Sequence, residues 1–315
     1  MFWVRSATIG VKRWGLLKYL LMYNPVSGRK SFKDKLHIVK DMFSKTDHAL
    51  DIYESQKESD LIHKAKEASS MYDVFLVAGG DGTVNEVVNG MMLSKIKPKL
   101  GILPSGTAND TAAILGIPKT LKRALKTIFE EETVMIDVNQ MNDRYFIYTA
   151  ASGVLTKISY DVSRRHLHKY GYLAYVFEAM KDLSIDYRYP LSIEYNDQRL
   201  DIECMMALGL ASRRVGGIWL ANFASSKLND GLFEFRIFER PKNFRIFRLV
   251  SFFLRGGRKL REDYHIVSNH FKITTRDDVK WNADGEFAME GSIEITVHQE
   301  ALPIFVSSRS KKRSF

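Results

Sequence analysis

The chain has 315 residues, 45% of them hydrophobic, enough for two cores of ordinary size and too apolar for a disordered segment. A formal net charge of +10 implies an anionic partner; the chain carries no zinc knuckle, basic zipper or aromatic ribonucleoprotein strand, so a nucleotide or an anionic membrane surface is expected and no nucleic acid. The single cysteine, Cys204, excludes an internal disulfide or thiolate metal cluster and fits a reducing cytosol, and no apolar run reaches the length of about 18 residues that a spanning helix needs.

Residues 1–17 read as an N-terminal extension in which Arg5, Lys12 and Arg13 interrupt the apolar positions. Lys18 to Tyr23 is the first expected strand, ending in the turn Asn24, Pro25, Val26, Ser27, Gly28. Phe32, Leu36, Val39 and Phe43 then mark the buried face of a helix, followed by a strand from Leu50 to Ser55 and a helix from Asp60 to about Ser69. Val74 to Ala78 is continuously apolar, as a central parallel strand covered on both faces must be. Beyond Gly79 and Gly80 the period changes, with Val84, Val87, Val88 and Met91 on one helix face. Another strand, Lys99 to Leu103, runs into PSGTAND and an apolar segment from Thr111 to Leu115. This alternation predicts a doubly wound parallel α/β domain over 18–138.

Three turns, at Asn24 to Gly28, Gly79 to Thr83 and Pro104 to Asp110, then share one edge of the sheet, where open α/β sheets bind ligands. Glycines at 79, 80 and 82 let backbone N–H groups approach an anion at a helix N-terminus. Asp81 is out of place beside phosphate unless a divalent cation lies between, which points to magnesium and a nucleoside triphosphate; the plain alternative is that Asp81 caps its helix. Asn109 and Asp110 read equally as helix caps.

After Val138 the texture becomes alternating, with strands expected at Tyr145–Ala150, Leu191–Tyr195, Asp201–Leu208, Phe233–Phe238, Phe271–Thr275 and Ile293–Val297. Helical segments near Gly171–Leu183 and Asn243–Leu254 interrupt them. A mostly antiparallel β-sandwich domain over 139–306 is expected, then a solvated basic tail over 307–315. Arg164, Arg165, His166, His168 and Lys169 form a basic cluster ahead of an aromatic segment, which reads either as a surface for anionic head groups or as a solvated helix entry.

NPVSG, GGDGTVNEVVNG and PSGTAND, followed far downstream by KLNDG and DGE, resemble the diacylglycerol kinase catalytic family, in particular its soluble bacterial lipid kinases, from Lys18 to about Val306. Sphingosine and ceramide kinases share the first-half motifs; NAD kinases and phosphofructokinases share mainly the GGDG turn. The resemblance implies an ATP-dependent kinase that phosphorylates diacylglycerol to phosphatidic acid at the membrane surface, cytoplasmic and peripherally attached, with a homodimer expected by analogy. It assigns ATP contacts to Asn24, Pro25, Val26, Ser27, Gly28, Ser55, Gly79, Gly80, Asp81, Gly82, Thr83, Val84, Asn85 and Thr107, and catalytic Mg2+ to Asp81, with Asp110 a second candidate. Glu286 matches the general base and Asp284 its orienting partner or a metal helper; without the resemblance, DGE is a turn between strands. In KLNDG, main-chain oxygens of Lys227 and Leu232 and the carboxylate of Asp230 match a structural magnesium site, or else a hairpin turn. The closest alternatives in activity are a kinase for phosphatidylglycerol or a sphingoid lipid, an NAD kinase, and a non-catalytic nucleotide or lipid sensor. The chain departs from many relatives in having Asn222 where they have proline, and SGVLT from Ser152 without the aspartate that some carry.

Overall fold

The computed structural model describes residues 16–25, 32–130, 132–153, 188–223, 227–239, 251–253, 255–259, 263–308, 310–311 and 315. The first half alternates strand and helix. Strand β1 (Lys18–Tyr23) leads through a 3-10 turn to α1 (Leu36–Phe43), then follow β2 (Ala49–Glu54), α2 (Asp60–Ala68), β3 (Val74–Gly79), α3 (Asp81–Met92), β4 (Lys99–Pro104), α4 (Asp110–Ile114) and α5 (Leu121–Phe129). The four strands are parallel in the order β2-β1-β3-β4. The path turns left from β1 to β2 and then right to β3 and β4, so right-handed crossovers place α1 on one face and α2 and α3 on the other. Packing agrees. Gly90 of α3 lies so close to α2 that a Cβ there would meet the Ile62 carbonyl at 2.3 Å, while Phe43 of α1 meets Phe129 of α5 edge to face at 5.2 Å. All six residues of β3 are buried, the reason its sequence is unbroken by polar positions. The order reverses between β1 and β3, so the ligand crevice of such a sheet falls between the ends of those strands, at Asn24 and at Gly80.

The second half is mostly antiparallel, as its alternating sequence requires. It comprises β5 (Thr133–Met141), β6 (Arg144–Phe146), β7 (Thr149–Gly153), β8 (Tyr189–Tyr195), β9 (Gln198–Leu210), the short hairpin β10 (Arg214–Val215) and β11 (Ile218–Trp219), β12 (Phe233–Glu239), β13 (Asp263–Ser268), β14 (His270–Thr275), β15 (Lys280–Ala283), β16 (Glu286–Glu290) and β17 (Ile293–Phe305). Residue 138 falls inside β5, so one strand serves both halves. β9 pairs with β8 along its first part and lies between β7 and β12 along its second. The long β17 pairs with β14 and β5, bulges between His298 and Leu302, and then places Ile304 beside Leu100 of β4. The halves are thus joined edge to edge through β17 and β4.

The strand expected over Tyr145–Ala150 is broken in two. The N–H groups of Ile147, Tyr148 and Thr149 turn toward the Asp284 carboxylate at 2.7, 2.9 and 3.2 Å, which takes the first two out of any ladder. The tail is also different from the solvated segment expected: the Ser307 N–H donates to the Leu115 carbonyl at 3.3 Å, and Lys311 pairs with Glu132 at 2.6 Å. Cys204 is buried, its thiol donating to the Tyr189 hydroxyl at 3.3 Å and pushed up to about 12 by burial. The expected helix at Gly171–Leu183 and the basic cluster Arg164–Lys169 lie outside the described residues, as does most of Asn243–Leu254. No helix among the described residues is long and apolar enough to cross a membrane.

Candidate active site

The glycine turn after β3 is shaped by its neighbours. A Cβ on Gly79 would run into Thr83, one turn into α3, at 2.2 Å, so only glycine lets strand and helix meet this closely. Gly80 faces Gly106 of the PSGTAND turn; a Cβ on Gly106 would lie 2.4 Å from the Gly80 Cα and 3.1 Å from its N, backbone atoms that cannot rotate away. Gly106→Ala is expected to force the two turns apart, costing roughly 1–3 kcal/mol and weakening nucleotide binding. A melting curve and an ATP titration check this, and two unchanged values would refute it.

Asp81 caps a helix, though not its own. Its two oxygens accept the N–H groups of Asp110 at 3.1 Å and Thr111 at 2.9 Å, at the start of α4, and so bind the second turn to the third. Burial pushes its carboxyl upward, and the neighbouring Asp110 charge adds to this. Neither Asn109 nor Asp110 caps α4 with its side chain. Asn109, at φ +50°, instead closes its own loop, accepting the Gly106 N–H at 2.9 Å and donating to the Gly106 carbonyl at 2.8 Å. Asp110 is buried and accepts from Arg214 Nε at 2.9 Å and from the Gly217 N–H at 3.0 Å, both in the β10–β11 hairpin. Ser55 follows β2 and donates its N–H to the Tyr23 carbonyl at 2.9 Å, beside the end of β1. Pro25 and Asn24 are half-buried there, and Thr107 is exposed on its loop; Val26, Ser27 and Gly28 lie outside the described residues.

The DGE segment reaches this place from the far end of the chain. Asp284 and Gly285 form the two-residue connection of the β15–β16 hairpin with φ of +49° and +87°, the left-handed pair that favours Asp-Gly. Buried Asp284 accepts four hydrogen bonds: the three N–H groups of 147–149 and Asn85 Nδ2 of α3 at 3.1 Å. Burial raises its carboxyl to about 6. The hairpin so anchored brings the Glu286 carboxylate against the first turn of α3, where a Cβ on Gly82 would be 2.9 Å from Oε1. The Tyr148 phenol, fully buried, is pushed up by that burial and by the charges of Asp81, Asp110 and Asp284, which shows how nearly these three acids converge.

KLNDG is a separate place. Asp230 accepts the N–H groups of Lys227 at 2.8 Å and Leu232 at 3.1 Å, closing its own turn. Buried Asp137 of β5 holds that turn through the Gly231 N–H at 2.6 Å and holds the β17 bulge through the Glu300 N–H at 2.8 Å. Among the described residues no group of three or more His, Cys, Asp or Glu side chains converges on a metal position.

Sequence reasoning passed over Asn89, Asp137 and Arg214. Asn89 was legible only as a polar residue on the buried side of α3; it donates to the Tyr145 carbonyl at 2.8 Å and accepts the Tyr145 N–H at 2.9 Å, fixing β6 to the helix. Asp137 and Arg214 gave no local signal.

Residues 18–141 match the diacylglycerol kinase catalytic domain family. Over 272 residues, 85% of this chain and 89% of the relative, the sequence is 35% identical to a diacylglycerol kinase of Bacillus subtilis (strain 168). The chain belongs to the diacylglycerol kinase family. A Staphylococcus haemolyticus diacylglycerol kinase is 33% identical over 85% of this chain and 81% of its own length. Two solved Bacillus anthracis structures share the fold: one covers 93% of this chain and 98% of its own with a TM-score of 0.80 at 24% identity, the other 95% and 100% with 0.73 at 23%. As a member of the diacylglycerol kinase family the protein is a lipid kinase, and membership implies ATP as phosphoryl donor.

Proposed function

We propose that this kinase transfers the γ-phosphate of ATP to the free hydroxyl of diacylglycerol, giving phosphatidic acid. The observation that carries the reading is the Glu286 carboxylate placed against Gly82, one residue from Asp81, by a hairpin some two hundred residues away in sequence. In this reading the half 18–138 holds the nucleotide and 139–306 the lipid. Unpaired N–H groups at the start of α3 and the turn residues Asn24 to Gly28, Gly79 to Asn85, Ser55 and Thr107 cradle the phosphates.

Glu286 takes the proton from the attacking hydroxyl. Asp284 is a positioning residue, since both its oxygens are engaged in holding the hairpin. Two adjacent acids, Asp81 half-buried and Asp110 already offset by Arg214, fit a divalent cation between protein and phosphate. Bound there, magnesium would neutralise charge on the phosphates. The oxygen donors of Asp230, Lys227 and Leu232 likewise suit a hard cation, with a role in holding the turn. The remainder of the barrier is lowered by alignment of the two substrates.

The reading is tested by following label from γ-labelled ATP with magnesium in mixed micelles offering diacylglycerol, phosphatidylglycerol, sphingosine or NAD. Label in diacylglycerol is expected. Preferential labelling of another acceptor, or ATP binding with no transfer at all, would replace it.

A further inference from the structure

We infer that the ridge formed by the β10–β11 hairpin, the turn after it and the loop 255–259 is the surface by which this protein seats itself on an anionic lipid bilayer. Trp219 is 55% exposed although its neighbour Leu220 is fully buried. Its position is fixed. The Leu220 N–H donates to the Arg213 carbonyl at 2.7 Å, and Leu220 and Phe223 sink into a second apolar core with Met206, Leu210, Phe238 and Phe252. Buried Arg236 ties the following turn down, donating to the Phe223 carbonyl at 2.9 Å while paired with Asp263 at 3.0 Å.

The loop 255–259 lies alongside. The Asn222 N–H donates to the Gly256 carbonyl at 2.8 Å and its side chain to the Arg255 carbonyl at 3.1 Å, and Gly257 presses on Phe223. The two segments read ASRRVGGIWLANF and RGGRK, with four arginines, one lysine and no acid. Arg213, Arg255, Arg258 and Lys259 are exposed. Elsewhere on the surface Arg199, Arg276, Lys280 and Lys311 each face a carboxylate of this chain; Arg255, Arg258 and Lys259 form no ion pair among the described residues.

An exposed indole on a fixed stretch of backbone is suited to the head-group layer, and cations around it are suited to anionic lipid. The same hairpin reaches inward, since its Arg214 and Gly217 hold Asp110 beside Asp81. Seating the ridge therefore presents the acidic centre to the layer from which a lipid acceptor comes. This deepens the lipid kinase reading and rests on it for the acceptor alone.

The test uses the full chain without ATP, sedimented with phosphatidylcholine vesicles with or without phosphatidylglycerol. Wild type is expected to partition onto the phosphatidylglycerol vesicles and to leave them as salt rises. The double variant R255Q/R258Q should bind roughly 25-fold more weakly, about fivefold per cation removed, and W219A at least about tenfold more weakly. All should bind ATP equally and phosphorylate a monomeric short-chain diacylglycerol at the wild-type rate. Unchanged vesicle binding in both variants, or a change in self-association instead, would overturn the assignment. If wild type binds vesicles through these residues yet phosphorylates no lipid, the surface stands and the kinase reading falls.

Discussion

Glu286→Gln is expected to lower phosphoryl transfer to the lipid by a factor of about 10²–10⁴, the usual contribution of a general base, while ATP remains bound. The substitution preserves shape but removes the negative charge and the ability to accept a proton, and makes one acceptor oxygen a donor. Glu286 is exposed at the start of β16, so little of the fold depends on it, and its carboxylate lies beside Gly82 rather than within the turn's backbone. The loss should therefore appear in kcat, with the ATP dissociation constant within about twofold of wild type, since each tenfold corresponds to about 1.4 kcal/mol at the transition state alone. Isothermal titration with ATP beside single-turnover transfer separates the two. A variant retaining more than about a tenth of the wild-type rate would remove Glu286 from the role of base.

Asp284→Ala is expected to cost stability on the order of 3–5 kcal/mol, because it leaves three buried backbone N–H groups without their acceptor, at about 1–3 kcal/mol each, and leaves the Asn85 amide only the Tyr145 carbonyl. The carboxyl also makes stability depend on pH. Its folded value of about 6 stands above the ordinary 3.8, so the folded state holds the proton more tightly than the unfolded chain. That contribution is complete below about pH 4 and is lost as pH rises through about 6, an effect of about 3 kcal/mol at 1.36 kcal/mol per unit. Asp284→Asn, which does not titrate, should flatten this slope. Denaturant midpoints measured on either side of the window check both statements; a wild-type slope surviving in Asp284→Asn would assign it to other acids, of which Asp81 and Asp137 are also raised by burial.

Much of the fold was legible where structure is written locally. The unbroken apolar run of β3 and the Val84, Val87, Val88, Met91 spacing of α3 encode their own burial, and the glycine turns mark the strand-to-helix joins. Amphipathic α5, with Ala124, Leu125 and Ile128 inward, carried an equally local signal that was passed over. The candidate site was legible as three turns on one edge. What joins them was not, because Asp81 to the start of α4, Arg214 to Asp110, and Asp284 to Asn85 are contacts between residues 29, 104 and 199 apart, which leave no period or composition to read. The family motifs pointed to Glu286 and Asp284; that a φ-positive hairpin carries one to Gly82 by burying the other emerges only in the fold.

The pairing of β17 with β4 and β5 bears on biosynthesis. While the chain is being made, β1 to β4 and α1 to α5 emerge long before β17, the strand that borders them. Until it arrives, β4 has a bare edge and β5 lacks its main partner, the kind of exposed strand that invites pairing with another chain. Closure then requires contacts of very high sequence separation, which are slow to form. A nascent or truncated product lacking β17 is thus expected to need chaperone protection, so premature termination would yield an aggregation-prone fragment.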